Sequence, residues 1–302
     1  MSAGEAFYEQ VGADPDRFVA SALTRGPWSA RFQHGGPPCA LLTRAFEALV
    51  THEGMRLARV NFEFLSPVPV GEMTVVARVS KPGRNVELLT AELIARGTTV
   101  LQAQAWCVAA VPETVPDGAV TLPPAPATLP GPQLRLRTPE DTAIMRGFLL
   151  DCVEWRFVAG DFCEQGATLA WARLIPSLVA GEEISPWQRL VAIADTCNGL
   201  SSMLPVYDWV FMNTDLTVRL VRPPIGEWLC LDTETTMIGG GSAHATASIH
   251  DAHGGLVARS GQTLFVGARS TPVPRPADWA ERFAGGRARR DAMTMVMADG
   301  SA

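Results

Sequence analysis

Two kinds of apolar spacing alternate along this chain, and they do so twice in the same order. In "PPCALLTRAFEALV" the residues Ala40, Leu41, Arg44, Ala45 and Leu49 fall at helical spacing. Four alternating runs follow: "RLARVNFEFLSPVPVG", "EMTVVARVSKPG", "VELLTAELIARG" and "TVLQAQAWCVAA". Alternation broken by Gly and Pro predicts antiparallel strands joined as hairpins. The second half repeats the order. "WQRLVAIADTCNGLSSML" reads as a helix, and "NTDLTVRLVRPPIG", "EWLCLDTETTMIGGG", "AHATASIHDAHGG" and "LVARSGQTLFVG" read as strands.

The repeat extends to single residues. Pro69-Val70-Gly71-Glu72 returns as Pro224-Ile225-Gly226-Glu227, and Thr90-Ala91 returns as Thr246-Ala247. Aligned on that turn, however, Phe62 and Phe64 meet Thr217 and Arg219, so the apolar parity of the two first strands differs. A bulge or a different burial pattern is expected there. One helix and about four long strands, twice, predict an α+β domain duplicated in tandem. Two curved sheets, each covering one helix, can join edge to edge and so hide their edge strands. Between the repeats, residues 113–140 are Pro-rich and weakly periodic, as an extended surface linker is. The expected organisation is 1–112, a linker over 113–140, 141–268, and a tail over 269–302 with a short amphipathic piece.

Composition narrows the function classes. The chain has 302 residues, 47% of them hydrophobic, and a net charge of −6. A sizeable core is expected, and with no Lys/Arg cluster a nucleic-acid partner is not. The polar, acidic start "MSAGEAFYEQVGADPDRF" lacks the basic and apolar parts of a secretion signal. No run of 18 apolar residues predicts a membrane span. The six Cys are scattered without a CxxC, as in a reduced, cytoplasmic protein. Five His without HxxxH or HExxH spacing give no metal site, and no organic cofactor is implied.

A few residues carry candidate chemistry. Asp195 interrupts the apolar run "LVAIADTCNGL" and needs partners or a wet cleft; a helix-capping or satisfied core Asp is the other reading. Gln262 shares a strand face with Ser260 and Leu264, either aimed at a site or on a surface edge. Asn213, with Thr214 beside it, either faces a site or opens the strand "DLTVRL" as a turn residue. His34-Gly35-Gly36 precedes the first helix, where Gly permits close backbone approach and positive φ, and Pro37-Pro38 preset the helix start. That loop suits a carbonyl or phosphate against helix-start amides; a purely steric use of the glycines is the alternative.

"HGG" before a helix, "ADTCNG", "NTDLTVRLVRPPIGEW" and "ARSGQTLFV" together resemble the double-hotdog acyl-CoA thioesterases of the thioesterase II type, over roughly residues 20–268. The resemblance implies a tandem double hotdog, two curved antiparallel sheets each wrapped around a central helix. It implies an acyl-CoA substrate, hydrolysed by a water held between an Asp, a hydroxyl residue and a Gln. These fall on Asp195, on Asn213 with Thr214 beside it, and on Gln262; Asn in the hydroxyl position departs from the family pattern. His34, Gly35 and Gly36 would contact the thioester, with His34 as an alternative general base. A homodimer or higher homo-oligomer is compatible with the resemblance. Two other functions fit the same fold: an acyl-CoA-binding protein without chemistry, and an enoyl-thioester hydratase or dehydratase.

Overall fold

The alternating runs become strands, and each keeps one face dry. In the computed structural model, residues 5–50, 54–110, 122–133 and 138–284 are described. The first half contains β1 (Ala6–Gln10), β2 (Arg17–Ala20), α1 (Gly36–Leu49), β3 (Met55–Phe64), β4 (Glu72–Lys81), β5 (Val86–Ala95) and β6 (Thr98–Ala109). The second half opens with α2 (Pro139–Met145), α3 (Phe148–Asp151), β7 (Val153–Ala159), β8 (Thr168–Leu174) and β9 (Ser177–Val179). It continues through α4 (Pro186–Ala194), α5 (Cys197–Leu200), β10 (Trp209–Asn213), β11 (Asp215–Leu220), β12 (Trp228–Gly239), β13 (Ser242–Asp251) and β14 (Leu256–Ala268).

The strands form one sheet in the order β7-β8-β12-β13-β14-β11-β3-β6-β5-β4-β2-β1-β9, with β10 also paired to β14. The halves meet at β3 and β11, antiparallel, with Val60 opposite Val218 and Phe62 opposite Leu216. All four side chains are buried, so the seam is part of the core rather than a contact between finished domains. The parity conflict disappears at this level. Buried Met73 and Val75 of β4 match buried Leu229 and Leu231 of β12, one position later than the Pro-x-Gly-Glu turns would place them. The turn repeat and the strand repeat are therefore out of phase by one residue.

Each half is a curved sheet around a helix. Leu41, Leu42 and Phe46 of α1 are buried, as are Leu190, Val191 and Ile193 of α4. Each such side chain withdrawn from water contributes about 1.5–3 kcal/mol. The two helices pack against one another. A polar tie secures the crossing. Ser185 Oγ and Gln188 Nε2 donate to the Glu47 carboxylate at 2.7 Å, and Ser185 also N-caps α4 in a capping box with Gln188. The arrangement is the expected double hotdog.

Three features were not legible in the runs above. The alternation in β1, β2, β7 and β8 is short or irregular, yet these strands complete a six-stranded unit in each half. Helix α2 starts at Pro139, inside the span expected to be linker. The tail is packed rather than loose as far as it is described. Residues 279–284 are helical, and Arg282 and Trp279 contact the second half; residues 285–302 lie outside the described residues. Among the described residues no helix is long and apolar enough to cross a membrane, and none of the six Cys forms a disulfide.

Candidate active site

The second helical run does not continue as one helix. α4 ends at Ala194, and Asp195 is its C-cap, still in the right-handed region at φ −69° and ψ −9°. The chain tightens there. The Thr196 N–H and hydroxyl both donate to the Ile193 carbonyl, at 3.0 and 2.7 Å, which ends the regular i→i−4 ladder. Asp195 thus stands at a helix break, held by the apolar turns before it, and is 3% exposed.

Its oxygens are claimed from three directions. Asn213 Nδ2 donates to Oδ1 at 2.7 Å, and Gln262 Nε2 donates to the same oxygen at 3.0 Å. The Gln262 amide is fixed at both ends, because Nε2 also reaches the Asp195 carbonyl at 3.2 Å and Oε1 accepts the Asn198 N–H at 3.2 Å. The other oxygen, Oδ2, lies 3.0 Å from His34 Nδ1. Residues from both halves therefore meet at one carboxylate.

Sheet geometry explains the meeting of Asn213 and Gln262. β10 and β11 pair in succession with β14 and are separated by Thr214 alone. Thr214 turns its hydroxyl onto the Thr263 carbonyl at 3.2 Å and is exposed at the cavity wall, away from the carboxylate. Asp215 accepts the Thr263 N–H at 2.7 Å, a strand-end role. Of the two neighbours considered for the hydroxyl position, Asn213 is the one that reaches Asp195.

The glycines work by absence of a side chain, not by positive φ. Gly35 has φ −67°. A Cβ on Gly35 would come within 2.7 Å of both Asp195 Oδ2 and the Phe64 ring. One on Gly36 would come within 2.2 Å of the Ala192 carbonyl, where α1 crosses α4. Gly35 makes room for the carboxylate; Gly36 makes room for the other helix.

His34 is held by its ring and by its backbone. It stacks on Phe148 with ring centroids 4.6 Å apart, and its N–H donates to the Thr24 carbonyl at 2.7 Å. Nδ1 accepts the Gly36 N–H at 3.1 Å. One nitrogen cannot accept from Gly36 and donate to Asp195 at once. The 3.0 Å approach of Nδ1 to Oδ2 is therefore a close polar contact between two nearly buried side chains, with Gly36 as the hydrogen-bond partner of that nitrogen.

His34, Gly35, Asp195 and Asn213 lie on the wall of a cavity of about 470 Å³, whereas Gln262 does not line it and meets the site through the Asp195 carboxylate. Its surface is mainly apolar, with Phe32, Phe64, Leu149, Phe162 and Phe211 among the lining residues, and His34, Asp195, Asn198, Asn213 and Thr214 are among the polar ones. Phe64 and Phe148 were missed from sequence. Phe64 read as an ordinary strand residue, and nothing in the short helix around Phe148 signals that it meets His34. Among the described residues no group of three or more His, Cys, Asp or Glu is arranged to hold a metal ion.

Comparisons with known proteins add the following. A model of the acyl-CoA thioesterase N-terminal domain matches residues 24–108, and one of the acyl-CoA thioesterase C-terminal domain matches residues 119–266. No curated protein matches. Among solved structures, a candidate thioesterase II from Thermobifida fusca is 22% identical over 88% of this chain and 99% of its own, with a TM-score of 0.66. A conserved hotdog-fold protein from Alicyclobacillus acidocaldarius is 18% identical over 85% and 96%, with a TM-score of 0.64. An acyl-CoA thioesterase II from Mycobacterium marinum is 15% identical over 88% and 97%, with a TM-score of 0.60. At these identities the solved structures speak for the fold. The two domain models, side by side and in family order over most of the chain, show that this chain belongs to the acyl-CoA thioesterase family.

Proposed function

We propose that this protein hydrolyses an acyl-CoA thioester to the free acid and CoA, with Asp195 as the residue that activates water. The observation that carries the reading is one buried carboxylate bound by Asn213 and Gln262 at the wall of a largely apolar cavity. Two amide donors on Oδ1 fix the carboxylate plane and leave Oδ2 as the oxygen for a reacting water. Asp195 takes the water's proton as its oxygen attacks the thioester carbon. Gln262, held by the Asn198 N–H and the Asp195 carbonyl, and Asn213, fixed by its strand pairing with Leu264, keep that geometry rigid, so little orientational entropy is lost in the attack. The Gly35 N–H has no backbone partner among the described residues and stands at the start of a 14-residue helix, which makes it the amide suited to the developing oxyanion. Thr214 contributes to the wall rather than to the chemistry.

The test is free-thiol release from acyl-CoA substrates of several chain lengths by the native protein and Asp195→Asn. The substitution preserves size and the two amide contacts. It is expected to cut kcat by about 10²–10⁴ with the fold intact. Turnover within a few fold of native would remove Asp195 from this role.

The 3.0 Å contact between His34 and Asp195 supports a second reading, in which His34 is the base and Asp195 orients it. His34→Asn leaves a polar amide near Oδ2 but no basic nitrogen. A loss as large as that of Asp195→Asn would favour the second reading, and a loss below about ten-fold the first. The same His–carboxylate pair suits addition of water to an enoyl thioester, so the assay includes an enoyl-CoA and scores hydroxyacyl-CoA against free CoA.

A further inference from the structure

Behind the cavity wall lies a second buried carboxylate that the reaction does not use. Asp141 of α2 is fully buried. Arg282 donates to it through Nη1 at 2.9 Å and Nη2 at 3.4 Å. Tyr207 donates its hydroxyl, Cys163 its thiol at 3.4 Å, and Thr138 its hydroxyl at 3.0 Å. Each anchored element also supplies a cavity residue. Ile144 and Met145 follow on α2, Phe162 precedes Cys163, and Val206 precedes Tyr207, and all four line the cavity. One carboxylate thus ties together three separate stretches of wall.

Of its partners among the described residues, Arg282 alone comes from beyond the family-matched span, which ends at residue 266. The segment carrying it is itself fastened. Trp279 packs edge-on against Tyr207 with centroids 6.0 Å apart, and the Phe283 carbonyl accepts the Gln165 N–H at 2.9 Å. Arg275 lies over Trp279 and pairs with Asp208 at 2.7 Å. A seven-residue helix such as α2 is marginal by itself, so its position depends on such tertiary pins.

We propose that residues 275–283 form a strut that sets the shape of the acyl cavity, and that Arg282, acting through Asp141, is a positioning residue for acyl-chain selectivity. The proposal rests on the cavity taking an acyl chain, as in the function proposed above. Without Arg282 the buried carboxylate loses its counter-charge, α2 and the Phe162 and Val206 stretches lose their common anchor, and the wall yields to chains it now excludes or grips.

The experiment measures equilibrium binding of butyl-, octyl-, dodecyl- and hexadecyl-CoA thioethers, which cannot be hydrolysed, to the full-length native protein, Arg282→Gln and Arg282→Lys. In parallel it measures kcat and KM on the matching thioesters. Arg282→Gln is expected to change the ratio of affinities for long and short chains by roughly five-fold or more, with kcat on the shortest substrate within about two-fold of native. Arg282→Lys restores part of the native ratio, because it returns the charge without the planar fork. If Arg282→Gln does not fold, Trp279→Ala loosens the same strut without stranding a carboxylate and carries the same expectation. An unchanged ratio in a folded variant, or an equal effect on every chain length, overturns the proposal. So does a native protein that binds none of the thioethers. Binding with no hydrolysis defeats only the function proposed above, and the affinity ratios still decide the strut.

Discussion

At the residue scale, the two neighbouring glycines at the start of α1 separate chemistry from architecture. Gly35→Ala puts a methyl group against Asp195 Oδ2 and the Phe64 ring, whereas Gly36→Ala puts one against the backbone carbonyl of Ala192. A ring or carboxylate can swing aside; a helix backbone cannot without moving the helix. Gly35→Ala is therefore expected to lose at least about ten-fold in kcat with a modest stability cost of about 1–3 kcal/mol. Gly36→Ala is expected to lose more stability than Gly35→Ala, at or beyond the upper end of that range. Thermal melts paired with thiol-release rates check the order; equal effects on both quantities would show that the two glycines do the same job. Asp195 stands out as a carboxylate in an apolar helical run, whereas a Gln in a strand reads as readily as a surface residue, and Gln262 is singled out only by the family resemblance. His34 stood out too, but its contact with Asp195 did not, because their positions in the chain are 34 and 195 and no local pattern links them.

At the element scale, α2 and its carboxylate predict a pH signature. Burial would raise the Asp141 pKa, but hydrogen bonds from Arg282, Tyr207 and Thr138, with the charge of Arg282, bring it down to about 2. A carboxyl depressed in the folded state stabilises the fold fully above its unfolded pKa, and that stability is lost as the pH falls through the folded value. The gap in stability between native protein and Asp141→Asn is expected to be constant above about pH 5 and to shrink by on the order of 2 kcal/mol between there and pH 2. Denaturation series across that range check it, and a gap that widens in acid would contradict the pairing. Helix α2 also shows why some elements escaped the sequence reading. Its signal is a capping box on a Pro-rich background, and seven residues give too few turns for periodicity to show. The long strands β3–β6 and β12–β14 were legible because ten or more residues of alternation outweigh local exceptions.

At the scale of the molecule, duplication gives two related corners where α1 and α4 cross. At one, the carboxylate at the end of α4 meets the start of α1: Asp195 with His34 and Gly35. At the other, the carboxylate near the end of α1 meets the start of α4: Glu47 with Ser185 and Gln188. Burial pushes the Glu47 carboxyl up while those hydrogen bonds pull it down. The second corner is closed by its own hydrogen bonds and does not line the cavity, so it serves as a clasp between helices. Glu47→Ala is expected to cost about 1–3 kcal/mol, by stranding the two donors, and to leave kcat per folded molecule unchanged. Equilibrium unfolding and activity measured on the same preparation test this, and a large fall in kcat at native stability would mean that both corners work.

The sequence by itself determined the repeat, the class of fold and the anomaly of Asp195, because periodicity, turn chemistry and a polar residue in an apolar run are local properties of the chain. Only the tertiary structure decided which residues meet. The parity of the seam, the His34–Asp195 contact, the choice of Asn213 over Thr214 and the anchoring of the tail on Asp141 all depend on strand register and helix crossing. Those are fixed by packing between stretches far apart in the chain, where a shift of one residue turns a side chain from the cavity to the solvent.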